Sequence, residues 1–386
     1  MRICLVSHSF FPAIFYGGPI FATWGLSKKI ANNNVNVYVS TTNANGNVKL
    51  DILTNKYIQK DENLFVKYYN EQIIHKFSFS FLLGIWTDIK KSDLIYIQYL
   101  FHYTVFLALI SSLIQNKKII ICPRGSFSSF TLNNRLKYIK SFWLRFFVKP
   151  FANKISWHAS SYLEVDDIRN HLPKTKIIEV NDGIDFESFQ NAKKIDKCDL
   201  VKKFAKIRFD KVSEVIFSMG RLHKIKRFDI LIEAFFLYKQ GNKKAKLLIA
   251  GGDDGAKKEL SKQIKKLKLE DSVFLIGMVN FKEKKELLSN CSVFCLASEF
   301  ESFGIVIAEA LACGTPVIVS DKTPWKLVKN KKIGIFAENK VRSFFQSLKQ
   351  IETFKFLPSN CRNYVRDFLD WEIVSETFIK SFLIKK

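Results

Sequence analysis

Glu299-Phe300-Glu301-Ser302-Phe303-Gly304-Ile305-Val306-Ile307-Ala308-Glu309-Ala310-Leu311-Ala312-Cys313-Gly314-Thr315-Pro316-Val317 joins two strand-like runs through a helix. The β-rich run 292–296 precedes it. A loop carrying Glu301 follows, and a helical pattern starts near Phe303, with Gly304 opening its first turn. Gly314-Thr315-Pro316 stops the helix and begins the next strand. Glu301 and Glu309 are eight residues apart, just over two helical turns. One carboxylate then sits at the helix mouth and the other deeper along the same side. The helix N-terminus offers N–H groups to a phosphate. A carboxylate can accept hydrogen bonds from both hydroxyls of a ribose or sugar. An amphipathic helix with glutamates in water would use the same letters, so the neighbouring segments matter.

Outward from this stretch, short β-branched runs alternate with helical patterns along the whole chain. Strand candidates are 3–6, 35–39, 94–97, 118–122, 155–158 and 177–180. A second series follows at 214–219, 246–250, 272–276, 292–296 and 316–319. Such alternation predicts parallel sheets flanked by helices. Two successive series predict an α/β protein of two Rossmann-like domains. The turn-rich segment Asn181-Asp182-Gly183-Ile184-Asp185 sets the boundary. The domains expected are 1–185 and 186–365. A terminal helix over 366–386 would carry Phe368, Trp371, Val374, Phe378 and Phe382 at helical spacing and pack back on the first domain.

Composition agrees with a two-domain globular chain: 386 residues, 47% apolar and 25% charged. The formal net charge of +25 bears on partners rather than on fold. It points to anionic lipid, nucleic acid or phosphate-bearing substrates. No acidic residue lies between Asp93 and Glu164, whereas Lys117, Lys118, Arg124, Arg135, Lys137, Lys140, Arg145, Lys149 and Lys154 all do. The seven cysteines are scattered. Cys291 and Cys295 lack the second pair that a metal site needs, so buried, reduced thiols in a reducing compartment are expected. The amino terminus runs straight into a strand without the apolar region of a signal peptide. The apolar stretch 94–114 contains Gln98, His102 and several Tyr and Ser residues. It is read as a buried strand followed by a helix, not as a membrane span.

Two further segments carry chemistry. Gly17-Gly18-Pro19 follows the first strand and opens a helical run, a place where backbone N–H groups can approach a phosphate. Two glycines in an ordinary turn would look alike. In Ser218-Met219-Gly220-Arg221-Leu222-His223-Lys224-Ile225-Lys226-Arg227-Phe228-Asp229 a strand ends at a glycine, two cations follow five residues apart, and a helix starts. A cationic pair at the carboxyl edge of a parallel sheet suits a diphosphate. As a donor bond breaks, charge builds on that diphosphate, and fixed cations stabilise the transition state more than the ground state. A solvated basic loop is the competing explanation.

Taken together, these segments resemble retaining GT-B glycosyltransferases of family 4. The Glu, seven residues, Glu pattern within 301–318 looks like that family's signature. Residues 218–234 resemble its phosphate-binding loop. Ala250-Gly251-Gly252-Asp253-Asp254-Gly255 resembles its glycine turn. Residues 181–185 resemble its interdomain Asn-Gly-Ile/Val-Asp motif with Asp182 inserted, and residues 11–18 its amino-terminal loop. The resemblance implies two Rossmann-like domains facing each other across a cleft. It implies that Arg221 and Lys226 hold the donor diphosphate and, with Glu301 on the transferred sugar, carry the catalysis. Glu309 would bind the ribose hydroxyls. Phe303, Gly304 and Ile305 would bring N–H groups to phosphate and sugar, and Gly17, Gly18 and Gly252 would lie near the nucleotide sugar. No metal and no cofactor is implied, because two cations and a helix end replace them. The anomeric configuration would be retained by front-face attack.

One departure concerns the acceptor side. Many family members carry a His after the fourth amino-terminal strand, whereas this chain reads Cys122-Pro123-Arg124-Gly125-Ser126. That looks like a subgroup among bacterial surface-polysaccharide transferases. Arg stays protonated and cannot be a general base. Arg124 is therefore expected on the acceptor side or at the sugar, with His102 as a second candidate there. The stretch 134–149 mixes Lys and Arg with Leu, Ile, Phe and Trp, as helices resting on anionic lipid do. The implied partners are a nucleotide-sugar donor, a saccharide or lipid-linked acceptor made for lipopolysaccharide, capsule or exopolysaccharide, and an anionic membrane surface, with a cytoplasmic, peripheral location. Nucleic-acid binding would leave the paired glutamates unexplained. A GT-B epimerase or phosphorylase would need a catalytic His or a pyridoxal-bearing Lys motif. A non-catalytic partner subunit sits poorly with an intact Arg, Lys and two-Glu set.

Overall fold

The structure, a computed structural model, describes residues 1–72, 77–133, 136–354 and 356–383. Asn134 and Arg135, part of the basic stretch, lie outside the described residues. The chain divides into two compact units, Met1–Gly183 with Trp371–Lys386, and Ile184–Asp370.

The first unit is built on an eight-stranded sheet. Its strands are β1 (Arg2–Val6), β2 (Asn36–Thr42), β3 (Tyr57–Asp61), β4 (Leu64–Tyr69), β5 (Leu94–Gln98), β6 (Lys118–Cys122), β7 (Ile155–Ala159) and β8 (Lys176–Glu179), in the order β8-β7-β6-β5-β1-β2-β4-β3. All pairings are parallel except β3 with β4. The inner strands are buried on both faces, which is why they read as unbroken apolar runs. Residues facing one side pack with α2 (Phe79–Lys90) and α3 (Tyr103–Ile114) in one core cluster. Those facing the other side pack with α1 (Gly18–Asn32). The apolar stretch 94–114 is thus strand β5 followed by helix α3. Among the described residues no helix is long and apolar enough to cross a membrane.

The second unit carries a six-stranded parallel sheet. Its strands are β9 (Val215–Met219), β10 (Lys246–Ala250), β11 (Val273–Gly277), β12 (Val293–Leu296), β13 (Val317–Ser320) and β14 (Gly334–Ala337), in the order β11-β10-β9-β12-β13-β14. The order reverses at β9, so the ends of β9 and β12 lie side by side, as at the switch point of a doubly wound sheet.

The tail differs from one continuous terminal helix. Phe368 ends a helix of the second unit (Pro358–Phe368) and is exposed. A new helix starts at Trp371. Between them, Leu369 accepts a hydrogen bond from the Ile184 N–H at 2.9 Å, and Asp370 pairs with Ile184 as a parallel bridge. That pairing takes up the backbone groups a helix would need. Trp371, Val374, Phe378 and Phe382 then join the core of the first unit. Trp371 lies against Gly25 of α1 and against Gly183, where an added Cβ would sit 2.3 and 2.5 Å from its ring atoms.

Candidate active site

In the second unit, the carboxyl ends of β9, β10 and β12 bring most of the candidate residues together. Gly251, just past β10, has φ +151°, and a Cβ on it would lie 1.8 Å from the Gly220 carbonyl oxygen. Only a glycine lets the two strand ends meet so closely. The contact is fastened by Gly220 N–H to Ala250 O at 3.0 Å and Leu222 N–H to Gly252 O at 2.8 Å. It carries the Arg221 guanidinium to the Asp254 carboxylate, with which it pairs. Gly252 lies against Met278, a Cβ there falling 3.3 Å from its side chain.

Lys226 ends a short 3-10 turn (Lys224–Lys226) that precedes α4 (Phe228–Gly241). Its side chain folds back over Gly220, where a Cβ would be 3.2 Å from Lys226 Cε. There Lys226 Nζ donates to Glu301 Oε1 at 2.5 Å, and Ser298 Oγ donates to the same oxygen at 2.6 Å. Both side chains are largely buried, 18% and 13% exposed, so solvent screens the pair less than a surface ion pair. The loop is held from below. Trp325 Nε1 donates to the Phe303 carbonyl at 2.6 Å, the two rings stand 5.4 Å apart, and Phe303 is buried. Asn339 donates to the carbonyls of Ala297 and Ser298.

Helix α5 (Ile305–Ala312) begins just after Glu301. Gly304 caps it with φ +82°, a left-handed conformation that suits glycine. The first N–H groups of the helix, at Ile305 and beyond, have no intrahelical acceptor. Glu309 lies one turn further in. It is buried and accepts from Lys284 Nζ at 2.5 Å. A solvent-facing glutamate is therefore not what the structure holds at this position.

In the first unit, β1 and β5 end in an aromatic group. The His8 ring stands 5.1 Å from Tyr16, 4.6 Å from Tyr99 and 5.1 Å from His102. His102 caps α3, with its Nδ1 2.8 Å from Thr104 Oγ1. Gly17 follows Tyr16 at φ +75°, caps α1, and has no atom within 4 Å of the position a Cβ would take. The structure thus places His102 and the Gly17-Gly18 turn at the same sheet edge, joined through His8, which sequence reasoning did not single out.

Arg124, expected on the acceptor side or at the sugar, is held by partners within the first unit. Its side chain is 1% exposed. Nη1 donates to Asp182 at 2.5 Å and Nε to Gln98 Oε1 at 2.9 Å. Burial opposes the charge, but the Asp182 carboxylate beside it holds the Arg124 pKa well above its ordinary value. Glu164 supports the same turn, accepting from Gly125 N–H at 2.6 Å and Ser160 N–H at 2.7 Å. Behind it, His158 accepts from Tyr96 OH at 2.6 Å and donates to Val180 O at 2.8 Å. Burial and the nearby Arg124 charge push the His158 pKa down to about 3, so its imidazole is neutral. The cysteines are free thiols, and all but Cys198 are buried.

Comparison with known families finds one match, "Glycosyl transferases group 1", over residues 201–368. Over those residues the chain is similar to a group 1 glycosyl transferase domain. The matched stretch contains Arg221, Lys226, Gly252, Glu301, Phe303, Gly304, Ile305 and Glu309. A relative in Campylobacter jejuni, N-acetylgalactosamine-N,N'-diacetylbacillosaminyl-diphospho-undecaprenol 4-alpha-N-acetylgalactosaminyltransferase, is 29% identical over 249 residues, 63% of each protein. The chain spans less than two thirds of the length of the curated relatives it matches. Among solved structures, sucrose-phosphate synthase from Thermosynechococcus elongatus superposes with a TM-score of 0.75 at 16% identity, over 99% of this chain and 98% of its own. HepE of Anabaena, crystallised with UDP and glucose, gives 0.72 at 17% identity over 99% of both. The fold is GT-B, as the motifs led one to expect. Within the matched stretch, sequence reasoning missed Lys284, Ser298, Trp325 and Asn339, none of which sits in a recognisable motif. Asp254 lay inside the glycine turn but carried no signal of its pairing with Arg221.

Proposed function

We propose that this chain is a retaining, metal-independent glycosyltransferase that takes sugar from a nucleotide-diphosphate donor to a saccharide or lipid-linked saccharide. The observation that carries this reading is the Lys226–Glu301 pair at the mouth of α5, with Arg221 on the same loop as Lys226. A cation and a carboxylate held together there suit a diphosphate and the sugar attached to it. Arg221 and Lys226 take the diphosphate, and Glu301 takes the hydroxyls of the transferred sugar. N–H groups from Phe303, Gly304 and Ile305 reach phosphate and sugar, and Glu309 accepts from the ribose hydroxyls. The bond from the anomeric carbon to the diphosphate breaks while the acceptor oxygen bonds to that carbon on the same face. The departing phosphate oxygen takes the acceptor proton. Charge that develops on the diphosphate is met by cations already in place, the arrangement that lowers a barrier most.

A uridine diphosphate donor is favoured by the HepE structure, which holds UDP. A lipid-linked acceptor is favoured by the Campylobacter jejuni relative, whose name specifies a diphospho-undecaprenol substrate. The same reading assigns the chain to surface-polysaccharide assembly on the cytoplasmic face of a membrane, a setting that suits such an acceptor. Thermal-shift measurements with UDP-, GDP- and ADP-sugars test the reading. One family of donors should raise the melting temperature and be hydrolysed slowly without acceptor. No response to any of them would overturn it.

A further inference from the structure

We propose that the outer face of α2, α3 and the basic helix Lys137–Trp143 is one continuous docking surface for an anionic lipid bilayer. It extends well beyond the basic stretch visible in the sequence. On α2, Phe79, Leu82, Leu83 and Trp86 recur at helical spacing and are all exposed, Leu83 by 78%. Their spacing is that of an apolar stripe, yet the opposite side of α2, with Phe81, Ile85 and Ile89, already faces the core. The second stripe therefore has no task within this unit.

The stripe is joined to the basic helix by a chain of rings. Phe79 stands 5.0 Å from Phe77, which stands 4.8 Å from Tyr103 at the start of α3. One turn along, Phe106 stands 4.9 Å from Trp143 and 5.3 Å from Phe147. The Phe142 ring then lies tilted against that of Phe146 at 4.6 Å. Tyr138, Ile139, Phe142 and Phe146 are exposed, Tyr138 by 78%. Exposed aromatic and aliphatic side chains in one connected patch mark an interaction surface.

Charge selects the occupant. The single carboxylate on these helices is Asp88, which is buried and bonded to Lys67, Tyr69 and Ser40. The cations lie beside the rings: Lys137 Nζ is 4.9 Å from the Tyr138 ring centre, and the Arg145 guanidinium carbon is 5.7 Å from that of Phe146. Apolar side chains edged by cations match the boundary between acyl chains and anionic headgroups. A second copy fits less well, since each chain carries a formal +25 and two such faces repel. The inference rests on the lipid-linked acceptor proposed above for its purpose alone. Membrane binding and donor binding are measured separately, so either can fail without the other.

The experiment is vesicle flotation with the full chain and no donor, using phosphatidylcholine alone or mixed with phosphatidylglycerol. Binding is expected only with phosphatidylglycerol, and high salt should weaken it. The double substitution Leu83→Ser, Trp86→Ser should lower partitioning about tenfold. The pair Lys137→Glu, Arg145→Glu should lower it by about as much. Both sets lie on exposed side chains of the first unit, and none of these residues is placed at the donor site, so melting temperature and donor binding should hold. Equal binding to phosphatidylcholine alone, or unchanged binding by both variants, overturns the proposal. So does a dimer in sedimentation that the Leu83 and Trp86 substitutions dissolve, which would make this face a contact between copies.

Discussion

Arg124 and Asp182 form a buried ion pair with a 2.5 Å contact, joining the end of β6 to the end of the first unit's main segment. Each residue is a departure from the family motifs that the sequence otherwise resembles. Arg124 stands where a His is usual, and Asp182 is an extra residue in the Asn-Gly-Ile-Asp segment. In three dimensions each accounts for the other. The arginine brings a charge into the sheet edge, and the inserted aspartate neutralises it.

Asp182→Ala should therefore destabilise the chain by about 3–5 kcal/mol, because it leaves a guanidinium buried without its counter-charge. Combining it with Arg124→Met should recover much of the loss, since an apolar pair avoids the desolvation cost. Urea unfolding of wild type and the variants measures this. A loss of less than about 1 kcal/mol for Asp182→Ala would mean that the pair behaves like a surface contact.

How much was legible in the sequence follows from where each partner sits. The parallel strands were readable because burial on both faces leaves continuous apolar runs, as in Ile95, Tyr96 and Ile97 of β5. The antiparallel edge pair β3 and β4 was not, since Tyr57–Asp61 carries Gln59, Lys60 and Asp61 on an open edge. Glu301 and Glu309 stood out because one short segment, a loop and the helix it leads into, carries both. Their partners come from elsewhere: Lys226 lies 75 residues from Glu301, and Lys284 lies 25 residues from Glu309. Side-chain pairing across such distances leaves no local pattern to read. The same holds for Arg124 and Asp182, 58 residues apart.

Glu309 has two partners to satisfy, Lys284 in the structure and the ribose hydroxyls in the proposed complex. Glu309→Ala should weaken donor binding by about tenfold to a hundredfold, the range of a lost hydrogen bond to a charged group. It also strips Lys284 of a buried counter-charge, so some stability goes with it. Glu309→Gln keeps a hydrogen-bonding group of the same shape and should lose less of both. Titration calorimetry with the donor separates the effects. Donor affinity equal to wild type in both variants would remove the ribose assignment.

The cation pair replaces a metal in the proposed mechanism, so transfer should continue in EDTA at an undiminished rate. Lys226→Ala should lower kcat about a hundredfold or more, as expected when a preorganised charge at the leaving group is removed. Its loss also leaves Glu301 with only the Ser298 contact of the two described at Oε1, and the fold should tolerate that in a partly open site. Steady-state assays with and without chelator decide the matter. Activity lost in EDTA and restored by Mg²⁺ would contradict the two-cation reading.

His158 should make the fold acid-sensitive. Its pKa is about 3 in the folded chain, against about 6.5 for an unfolded histidine. Above pH 6.5 neither state is protonated, and the full stability is present. As the pH falls from 6.5 towards 3, only the unfolded state takes the proton, so stability drops by up to about 1.4 kcal/mol per pH unit. The groups around the ring admit no easy relief. Tyr96 and Val180 occupy both nitrogens, Phe378 and Phe382 cover the ring at 5.5 and 5.6 Å, and the Arg124 charge opposes a second cation. Glu164 acts with the opposite sign. Burial raises its carboxyl pKa, so its contribution grows as the pH falls. The difference between wild type and His158→Gln isolates the histidine. Gln can still donate to Val180, but it does not titrate. Chemical denaturation between pH 4 and pH 8 should therefore give a steeper acid loss in wild type than in the variant. Parallel curves for the two would mean that His158 takes up its proton without unfolding.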